Sequence, residues 1–341
     1  MRVAMYYNNR DVRLEEMPVP NLNPGEVLVK VIASGICGSD VMEWYRIQKA
    51  PLVLGHEIAG EVVQVADGAN EFKAGDRVFV SHHVPCGECH YCRSGSETVC
   101  DTLRSTNFDP GGFAEYIRVP TINVEKGTFL FPENVSFEDG VFIEPLACVA
   151  RGQHKAGIKH GQRVLVIGSG LSGLLHIQLA RVNGAKSVVA TDISKYRLEA
   201  AGRFGADATL HATDDIRERV NEINEGRLAD LVIVCAGVES AFDQALQSVE
   251  RGGTILLFAP PKPASKFPIA LYELWRDGVT LTTSYAGSPA DITEAIRLIE
   301  SGEINVRDMI SHRLGLAETG TGFQLVAHAQ DSLKVIIEPQ R

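Results

Sequence analysis

The chain lacks the features of a membrane-spanning, secreted or nucleic-acid-binding protein. None of its apolar runs approaches the roughly eighteen residues of a membrane-spanning helix. The opening stretch MRVAMYYNNRDVRLEEMPVP has no apolar core flanked by positive charge, so no secretory signal is expected. Basic residues are in deficit, with 33 Lys and Arg against 43 Asp and Glu and a net charge of −10. This balance argues against nucleic acids and anionic membranes as partners.

Low-complexity tracts are also missing, and the composition is that of a globular protein, with 45% hydrophobic and 22% charged residues. The length of 341 residues exceeds what one core usually supports, which favours two domains. Cysteines are few, seven in all. Thiols expected to stay reduced, no visible secretory signal and an acidic balance together favour a cytoplasmic location.

Four of the seven cysteines lie within fifteen residues, at Cys86, Cys89, Cys92 and Cys100. Two consecutive C-x-x-C steps place three thiolates on one turn, and the fourth can close a tetrahedron. A closed four-thiolate shell indicates a structural zinc, because no position is left for water or substrate. Disulfides are the alternative, and nothing else in the chain favours them. We expect a structural-zinc lobe over residues 82–104, and catalysis elsewhere.

The pattern of apolar and turn-forming residues changes after residue 146. Residues 1–146 contain short strands broken by Gly, Pro and Asp, which predict an irregular, mostly antiparallel β domain. Residues 147–286 contain six apolar strands with helices between them, which predict a doubly wound parallel sheet and an α/β fold. A last helix and strand within 287–341 are expected to return to the first domain.

A glycine-rich loop follows the first strand of the second domain and opens a helix. It is formed by Gly168, Ser169, Gly170, Leu171, Ser172 and Gly173. In this context G-x-G-x-x-G predicts a dinucleotide site, with the pyrophosphate at the helix N-terminus. The next strand ends at Asp192, which could accept ribose hydrogen bonds and repel the 2′-phosphate of NADP, so NAD is favoured. The alternatives are an ordinary turn and a helix cap. Arg197 is assigned to the same site.

A second metal site is suggested by Cys37, in G-I-C-G-S-D, and by His56 and Glu57, in G-H-E. Three protein ligands with an open fourth position describe a catalytic zinc. Taken alone, a Cys–His pair is more often core packing than a metal site.

Four motifs in order make the chain resemble the zinc-dependent medium-chain alcohol and polyol dehydrogenases over essentially its whole length. They are GICGSD, GHEIAGEVVQVADGA, the four-cysteine lobe and the strand–GSGLSG–helix unit. The segment Ile143–Leu146 is similar to the sorbitol and threonine dehydrogenase branch. The resemblance implies a GroES-like β-rich domain plus a Rossmann domain. It also implies that Cys37 and His56 bind zinc and that Glu57 and Glu144 complete the shell. Which carboxylate is the third ligand stays open.

Further roles follow from the same resemblance. Asp40 would hold the second ring nitrogen of His56, and Lys334 would reach the cofactor pyrophosphate unless it is a solvated surface lysine. Ser39 would accept the proton of the substrate hydroxyl, which zinc acidifies. The alternative for Ser39 is a turn cap or a satisfied core hydroxyl. A homotetramer or homodimer is implied, with the strand VTLTTSY at the interface.

The chain departs from this branch at Met42, where relatives usually carry histidine. Methionine neither donates nor passes a proton. We therefore expect a comparatively apolar substrate pocket, although its aromatic members could equally be core residues. The expected lining residues are Met42, Trp44, Tyr45 and Phe108. The remaining histidines, including His82 and His83, are interpreted as structural or surface residues.

Together these features predict hydride transfer between a secondary alcohol, such as a polyol, cyclitol or amino alcohol, and NAD. The alternatives are a dehydrogenase of more apolar or aromatic alcohols and a zinc-independent reductase of the same fold. A non-catalytic NAD-sensing or scaffold protein is a third possibility.

Overall fold

The computed structural model describes residues 1–329 and 331–341. The chain forms two compact units. The first contains Met1–Ala147 and Ala286–Arg341, and the second contains Cys148–Tyr285. These bounds lie one residue from each expected domain boundary.

The first unit is built on β-sheets, with short helices between the strands. Its strands are β1 (Arg2–Asn8), β2 (Asp11–Glu16), β3 (Val27–Gly35), β4 (Leu52–Val53), β5 (Glu57–Val65), β6 (Arg77–Val80), β7 (Tyr116–Val119), β8 (Thr128–Leu130), β15 (Ile310–Gly315) and β16 (Lys334–Glu338). Its helices are α1 (Glu43–Arg46), α2 (His90–Arg93), α3 (Asp101–Ser105), α4 (Thr121–Gly127), α5 (Phe137–Gly140), α12 (Pro289–Glu300) and α13 (Thr319–His328). Helix α6 (Ile143–Ala156) continues the chain into the second unit.

A seven-stranded sheet dominates this unit, in the order β15-β16-β3-β5-β6-β8, with β7 also paired to β3. The pairings are antiparallel except for β15 with β16, so the expectation of a mostly antiparallel β-rich domain is confirmed. A small sheet in the order β2-β1-β4 was not expected from the sequence. The core of this unit includes an apolar cluster around Tyr6, Phe113 and Phe323 and another around Ile58 and Phe108.

Three strand ends meet in the seven-stranded sheet and position the candidate metal site. Gly35, the last residue of β3, lies opposite Glu57, the first residue of β5. Gly35 also lies opposite Ile336 of β16, two residues after Lys334. The register therefore brings the segment after β3 together with the starts of β5 and β16.

The second unit contains a six-stranded sheet in the order β11-β10-β9-β12-β13-β14, and all its pairings are parallel. Its strands are β9 (Arg163–Ile167), β10 (Ser187–Asp192), β11 (Ala208–His211), β12 (Ala229–Val234), β13 (Val249–Leu257) and β14 (Thr280–Thr283). Its helices are α7 (Leu171–Val182), α8 (Lys195–Arg203), α9 (Ile216–Ile223), α10 (Glu239–Ser248) and α11 (Leu271–Asp277). This doubly wound order confirms the predicted Rossmann sheet.

The central strands of this sheet are buried almost throughout. β9 and β12 each have a single residue that is not buried, as required of strands covered on both faces. Among the helices of the described residues, none is both long and apolar enough to cross a membrane.

Candidate metal centres and dinucleotide site

The four clustered cysteines converge as the sequence predicted. Their sulfur atoms all lie within 4.8 Å of one another. Cys86 Sγ lies 3.8 Å from Cys92 Sγ and 3.7 Å from Cys100 Sγ, and Cys89 Sγ lies 3.5 Å from Cys92 Sγ. Zn–S bonds of about 2.3 Å in a tetrahedron separate sulfurs by about 3.8 Å. None of these four cysteines forms a disulfide, so this geometry fits zinc.

Backbone N–H groups support negative charge on these sulfurs. Cys86 Sγ accepts from Cys89 N at 3.3 Å and from Glu88 N at 3.5 Å. Burial raises the pKa of the Cys100 thiol, but hydrogen bonds from the Cys86 and Leu103 N–H groups outweigh it and lower that pKa to about 6. Cys86 and Cys100 are therefore suited to thiolate ligation.

A second ligand group forms where β3, β5 and β16 meet. The thiol of Cys37, a ring nitrogen of His56 and a carboxylate oxygen of Glu57 lie within 4.8 Å of one another. Glu57 is fully buried, and its Oε1 has no hydrogen-bond partner among the described residues. An orphaned buried carboxylate oxygen beside a thiol and an imidazole fits a bound zinc ion.

Gly55 sets the backbone that presents His56. Its φ of +93° lies in the left-handed region, which glycine adopts readily. A Cβ at this position would lie 2.9 Å from the backbone nitrogen of Phe113. The turn before β5 therefore requires glycine for both conformation and space.

Asp40 orients the imidazole, as predicted. Its Oδ1 lies 3.3 Å from His56 Nδ1, and its Oδ2 accepts from the Cys37 N–H at 3.1 Å. Burial alone would raise the pKa of Asp40, but His56, Arg46 and the Cys37 N–H hold it below its ordinary value. Burial would lower the pKa of His56, but Asp40 and Cys37 raise it well above the ordinary value. Nδ1 is thus occupied by Asp40, which leaves Nε2 for a metal.

Lys334 lies in this site and is not a solvated surface residue, so that alternative is wrong. Its side chain and that of Glu57 are both 0% exposed, and Nζ forms an ion pair with Glu57 Oε2. The pair lies over Gly35, where a Cβ would overlap both side chains. The ammonium compensates a carboxylate that would otherwise be buried without a counter-ion. Contact of Lys334 with the cofactor pyrophosphate stays a prediction.

Glu144 lies in the first turn of α6, outside the group of three ligands. It lines a small cavity together with Ser81, His82 and His83. The structure therefore groups Glu57, and not Glu144, with Cys37 and His56.

Two histidines, expected from the sequence to be structural or surface residues, lie beside the candidate zinc ligands. The His82 ring centroid lies 4.8 Å from that of His56 and 3.8 Å from that of His83. Burial, followed by neighbouring positive charge, lowers the pKa of His82 well below its ordinary value and that of His83 to about 4. These shifts favour the neutral form of both rings, and His82 Nδ1 is buried without a hydrogen-bond partner among the described residues.

Ser39 lies on the turn between Cys37 and Asp40, and its amide lies 3.5 Å from Cys37 Sγ. Its hydroxyl accepts a hydrogen bond from Arg46 Nη2 at 3.2 Å. Arg46 could not be recognised from the sequence, because its side chain returns from α1 to the preceding turn. The only feature of the sequence that points to Arg46 is its position as a basic residue between the motifs GICGSD and GHE.

The expected pocket residues do not share one environment. Met42 precedes α1 and is partly buried, Trp44 packs beside Tyr45, and Tyr45 is 41% exposed. Phe108 is 2% exposed and belongs to a core cluster, where its ring meets the edge of His82. Phe108 thus packs behind His82, so the alternative of a core role describes it better.

The glycine-rich loop has the geometry that a dinucleotide requires. Gly168 has a φ of +96°, and α7 begins at Leu171, after Gly170. A Cβ on Gly173 would overlap the carbonyl oxygen of Gly168. Strand, loop and helix therefore approach closely, and the helix N-terminus is available for a pyrophosphate.

Asp192 ends β10 beside this loop. Its Oδ2 accepts from Ser169 N at 2.7 Å, and its Oδ1 accepts from Ser194 N at 2.9 Å. Arg197 lies close to the loop, with Nη1 3.6 Å from the position of a Cβ on Gly170, and its Nε is buried without a partner among the described residues. A fixed carboxylate and an unsatisfied guanidinium next to the loop fit the adenosine half of NAD.

Comparisons with known proteins agree with these sites. Residues 23–128 match the alcohol dehydrogenase GroES-like domain, and residues 173–301 match the family described as zinc-binding dehydrogenase. Sorbitol dehydrogenase from Bacillus subtilis (strain 168) is 30% identical over 354 aligned residues, which cover 100% of this chain and 98% of that protein. L-threonine 3-dehydrogenase from Pyrococcus abyssi is 36% identical over 316 residues, covering 88% and 87%. The structure of an alcohol dehydrogenase from Thermus sp. ATN1 matches with a TM-score of 0.88 and 30% identity over 99% of both chains.

These similarities extend over both units and include both candidate metal centres and the glycine-rich loop. They give no support to a zinc-independent reductase or a non-catalytic protein. The chain therefore belongs to the zinc-dependent medium-chain dehydrogenases, in the sorbitol dehydrogenase-like branch, and is an NAD-dependent alcohol or polyol dehydrogenase.

Proposed function

We propose that the protein oxidises a secondary hydroxyl of a polyol at the site formed by Cys37, His56 and Glu57. The main support is the convergence of a thiol, an imidazole nitrogen and a carboxylate oxygen within 4.8 Å. Polyol chemistry is favoured by the sorbitol dehydrogenase relative and by the polar side chains around the site. Two neutral histidines and an arginine offer donors and acceptors that an apolar alcohol would leave unpaired.

The protein groups then have distinct roles. Cys37, His56 and Glu57 would hold a zinc ion, which would supply Lewis acidity to the substrate hydroxyl, and NAD would supply the hydride acceptor. Ser39 Oγ, which lies on the same turn as Cys37, accepts the hydroxyl proton and passes its own hydroxyl proton to a ribose hydroxyl of the cofactor or to water. Asp40 fixes the His56 tautomer. Glu144, which lines the neighbouring cavity, is the alternative carboxylate ligand for the metal.

Lys334 acts on the ligand set through Glu57. Because its ammonium holds Oε2, Glu57 would present its other oxygen, Oε1, to a bound metal ion. This arrangement keeps Oε1 oriented for zinc without leaving a second carboxylate oxygen unsatisfied.

Cofactor choice is proposed to depend on Asp192. Both of its oxygens are fixed by backbone N–H groups, so the carboxylate cannot turn away from an added phosphate. Each oxygen keeps a further lone pair for a ribose hydroxyl. NAD is therefore preferred over NADP.

A homodimer or homotetramer is proposed from the exposed edge of the second unit. Strand β14 ends the parallel sheet, and neighbouring α11 exposes Leu271, Tyr272 and Trp275 to 73%, 63% and 75%. An open edge beside exposed aromatic side chains favours pairing with a second copy. Light scattering at micromolar concentration tests this, and a monomer would contradict it. A cytoplasmic location is proposed because the four-cysteine lobe needs reduced thiols.

The central test is NADH formation by the zinc-loaded protein with sorbitol, xylitol, myo-inositol, threonine and benzyl alcohol. We expect turnover with polyols, its loss in Ser39→Ala, and no loss in Ser265→Ala, which alters an exposed serine of the second unit. A preference for benzyl alcohol, or full activity of Ser39→Ala, would contradict the proposal.

A further inference from the structure

Arg46 is a cation in direct contact with the proposed proton acceptor. Its Nε donates to the Ser39 carbonyl at 3.1 Å, and its Nη2 donates to Ser39 Oγ at 3.2 Å. The same Nη2 lies 3.4 Å from Asp40 Oδ1. The side chain is 15% exposed, so the guanidinium is held in place but still reaches solvent.

Asp40 has hydrogen-bond partners at both oxygens even without Arg46. Asp40 already receives the Cys37 N–H at Oδ2 and His56 Nδ1 at Oδ1. Among the described residues, none accepts a hydrogen bond from Arg46 Nη1. An arginine with two occupied nitrogens and one remaining N–H₂ group is suited to bind a further anion.

A second cation lies on the same segment. Lys49 follows Arg46 by three residues, and both contact the ring of Tyr45, at 4.6 Å for the guanidinium carbon and 5.7 Å for the ammonium. Lys49 is exposed. The Tyr45 ring thus holds the two cations near each other. Arg46 lies beside Ser39, and Lys49 faces solvent.

The cavity beside the site also contains polar groups that suit a hydroxylated chain. His82 and His83 line the cavity with Ser81 and Glu144, and His82 Nδ1 lacks a partner among the described residues. A neutral sugar alcohol would use these groups but would leave the donor of Arg46 unused.

From this arrangement we infer that the preferred substrate is an anionic polyol derivative whose carboxylate or phosphate is bound by Arg46, with Lys49 at the entrance. This inference rests on the proposed function and adds the substrate class. The anion lies near the oxidised hydroxyl, because Arg46 contacts the residue that receives its proton. Arg46 is thereby a specificity-determining residue.

Three substrates of equal chain length test the inference: sorbitol, gluconate and sorbitol 6-phosphate. The unmodified enzyme should show a higher kcat/KM for an anionic substrate than for sorbitol, and the two anionic arms distinguish carboxylate from phosphate. Arg46→Gln should lower the anionic-to-neutral ratio of kcat/KM on the order of tenfold to a hundredfold. Arg46→Lys should restore part of it, because it keeps the charge without the fork.

Two controls separate this effect from folding and from cofactor binding. Arg13→Gln removes an exposed arginine that pairs with Asp11 and should leave the ratio unchanged. Lys49→Gln alters an exposed side chain and should lower the ratio by less than Arg46→Gln. If the Arg46 variants fail to fold, Lys49→Gln still tests the inference. The KM for NAD should be the same in every variant.

The outcomes are distinguishable. Turnover of sorbitol with equal substrate ratios in the unmodified, Arg46→Gln and Lys49→Gln enzymes overturns this inference alone. A changed KM for NAD in Arg46→Gln, with unchanged substrate ratios, would assign Arg46 to the cofactor and also overturn it. No NADH from any of the three substrates overturns the proposed polyol function and, with it, the inference.

Discussion

Replacing Lys334 by Met should strongly destabilise the first unit. Lys334 and Glu57 are both 0% exposed and form an ion pair. In the zinc-stripped protein, removal of the ammonium leaves a buried carboxylate without its counter-ion, which costs about 3–5 kcal/mol. Because about 1 kcal/mol shifts the melting temperature by about 2–4 °C for a domain of about 150–250 residues, a decrease of roughly 6–20 °C is expected.

A matched surface pair provides the control. Lys186 lies 3.8 Å from Glu225, and the two side chains are 55% and 83% exposed. Lys186→Met removes the same charge and should cost at most about 1 kcal/mol, because exposed ion pairs contribute little. The two variants therefore isolate the effect of burial.

The double variant Lys334→Met with Glu57→Gln tests the mechanism of the loss. It removes both charges and should recover most of the stability lost in Lys334→Met, since the cost comes from the unpaired carboxylate. Thermal and urea unfolding of zinc-loaded and zinc-stripped protein would measure the effect. A stability loss in Lys334→Met no larger than that in Lys186→Met would contradict this mechanism. Simple additivity of Lys334→Met and Glu57→Gln would also contradict it.

Three further substitutions test the remaining sites. Cys100→Ser should reduce the zinc content from two ions to one per chain and destabilise the lobe, because zinc binding contributes to folding; two zinc ions by elemental analysis would contradict the four-thiolate shell. Asp192→Ala should raise the KM for NAD and narrow the preference over NADP, and equal kcat/KM for both cofactors in the unmodified enzyme would refute the assignment. Met42→His should shift kcat/KM from benzyl alcohol toward sorbitol with little change in NAD affinity, since it adds a donor that rewards hydroxylated substrates; an identical ratio would show that position 42 does not line the pocket.

The parts of the molecule that could be predicted are those in which local sequence and geometry are directly connected. The four cysteines are close in sequence, so their spacing already limits their positions. The glycine-rich loop requires a strand before it and a helix after it, and both leave clear periodic patterns. The same applies to the six apolar strands of the parallel sheet.

The parts that were missed depend on contacts between distant or irregular segments. Glu57 and Lys334 are 277 positions apart, and only the β16-β3-β5 register brings them together. His82 and His83 follow β6 without a motif of their own. Arg46 lies at the end of a four-residue helix with no periodic pattern. Its return to Ser39 follows from the path of the loop, which the sequence does not specify.

Lys334 and Arg46 each pair with a carboxylate of the candidate zinc site, but their environments differ in a way that separates stability from specificity. Lys334 is fully buried against Glu57 and has no exposed surface from which to reach a substrate. Arg46 is 15% exposed, contacts Ser39 and shares Asp40 with two other donors. Loss of Arg46 therefore leaves Asp40 still hydrogen-bonded, whereas loss of Lys334 removes the ion-pair partner of a fully buried carboxylate. We expect Arg46→Gln to change substrate ratios more than melting temperature and Lys334→Met to do the reverse. Measuring both quantities in both variants checks this, and parallel losses would mean that the two cations have the same role.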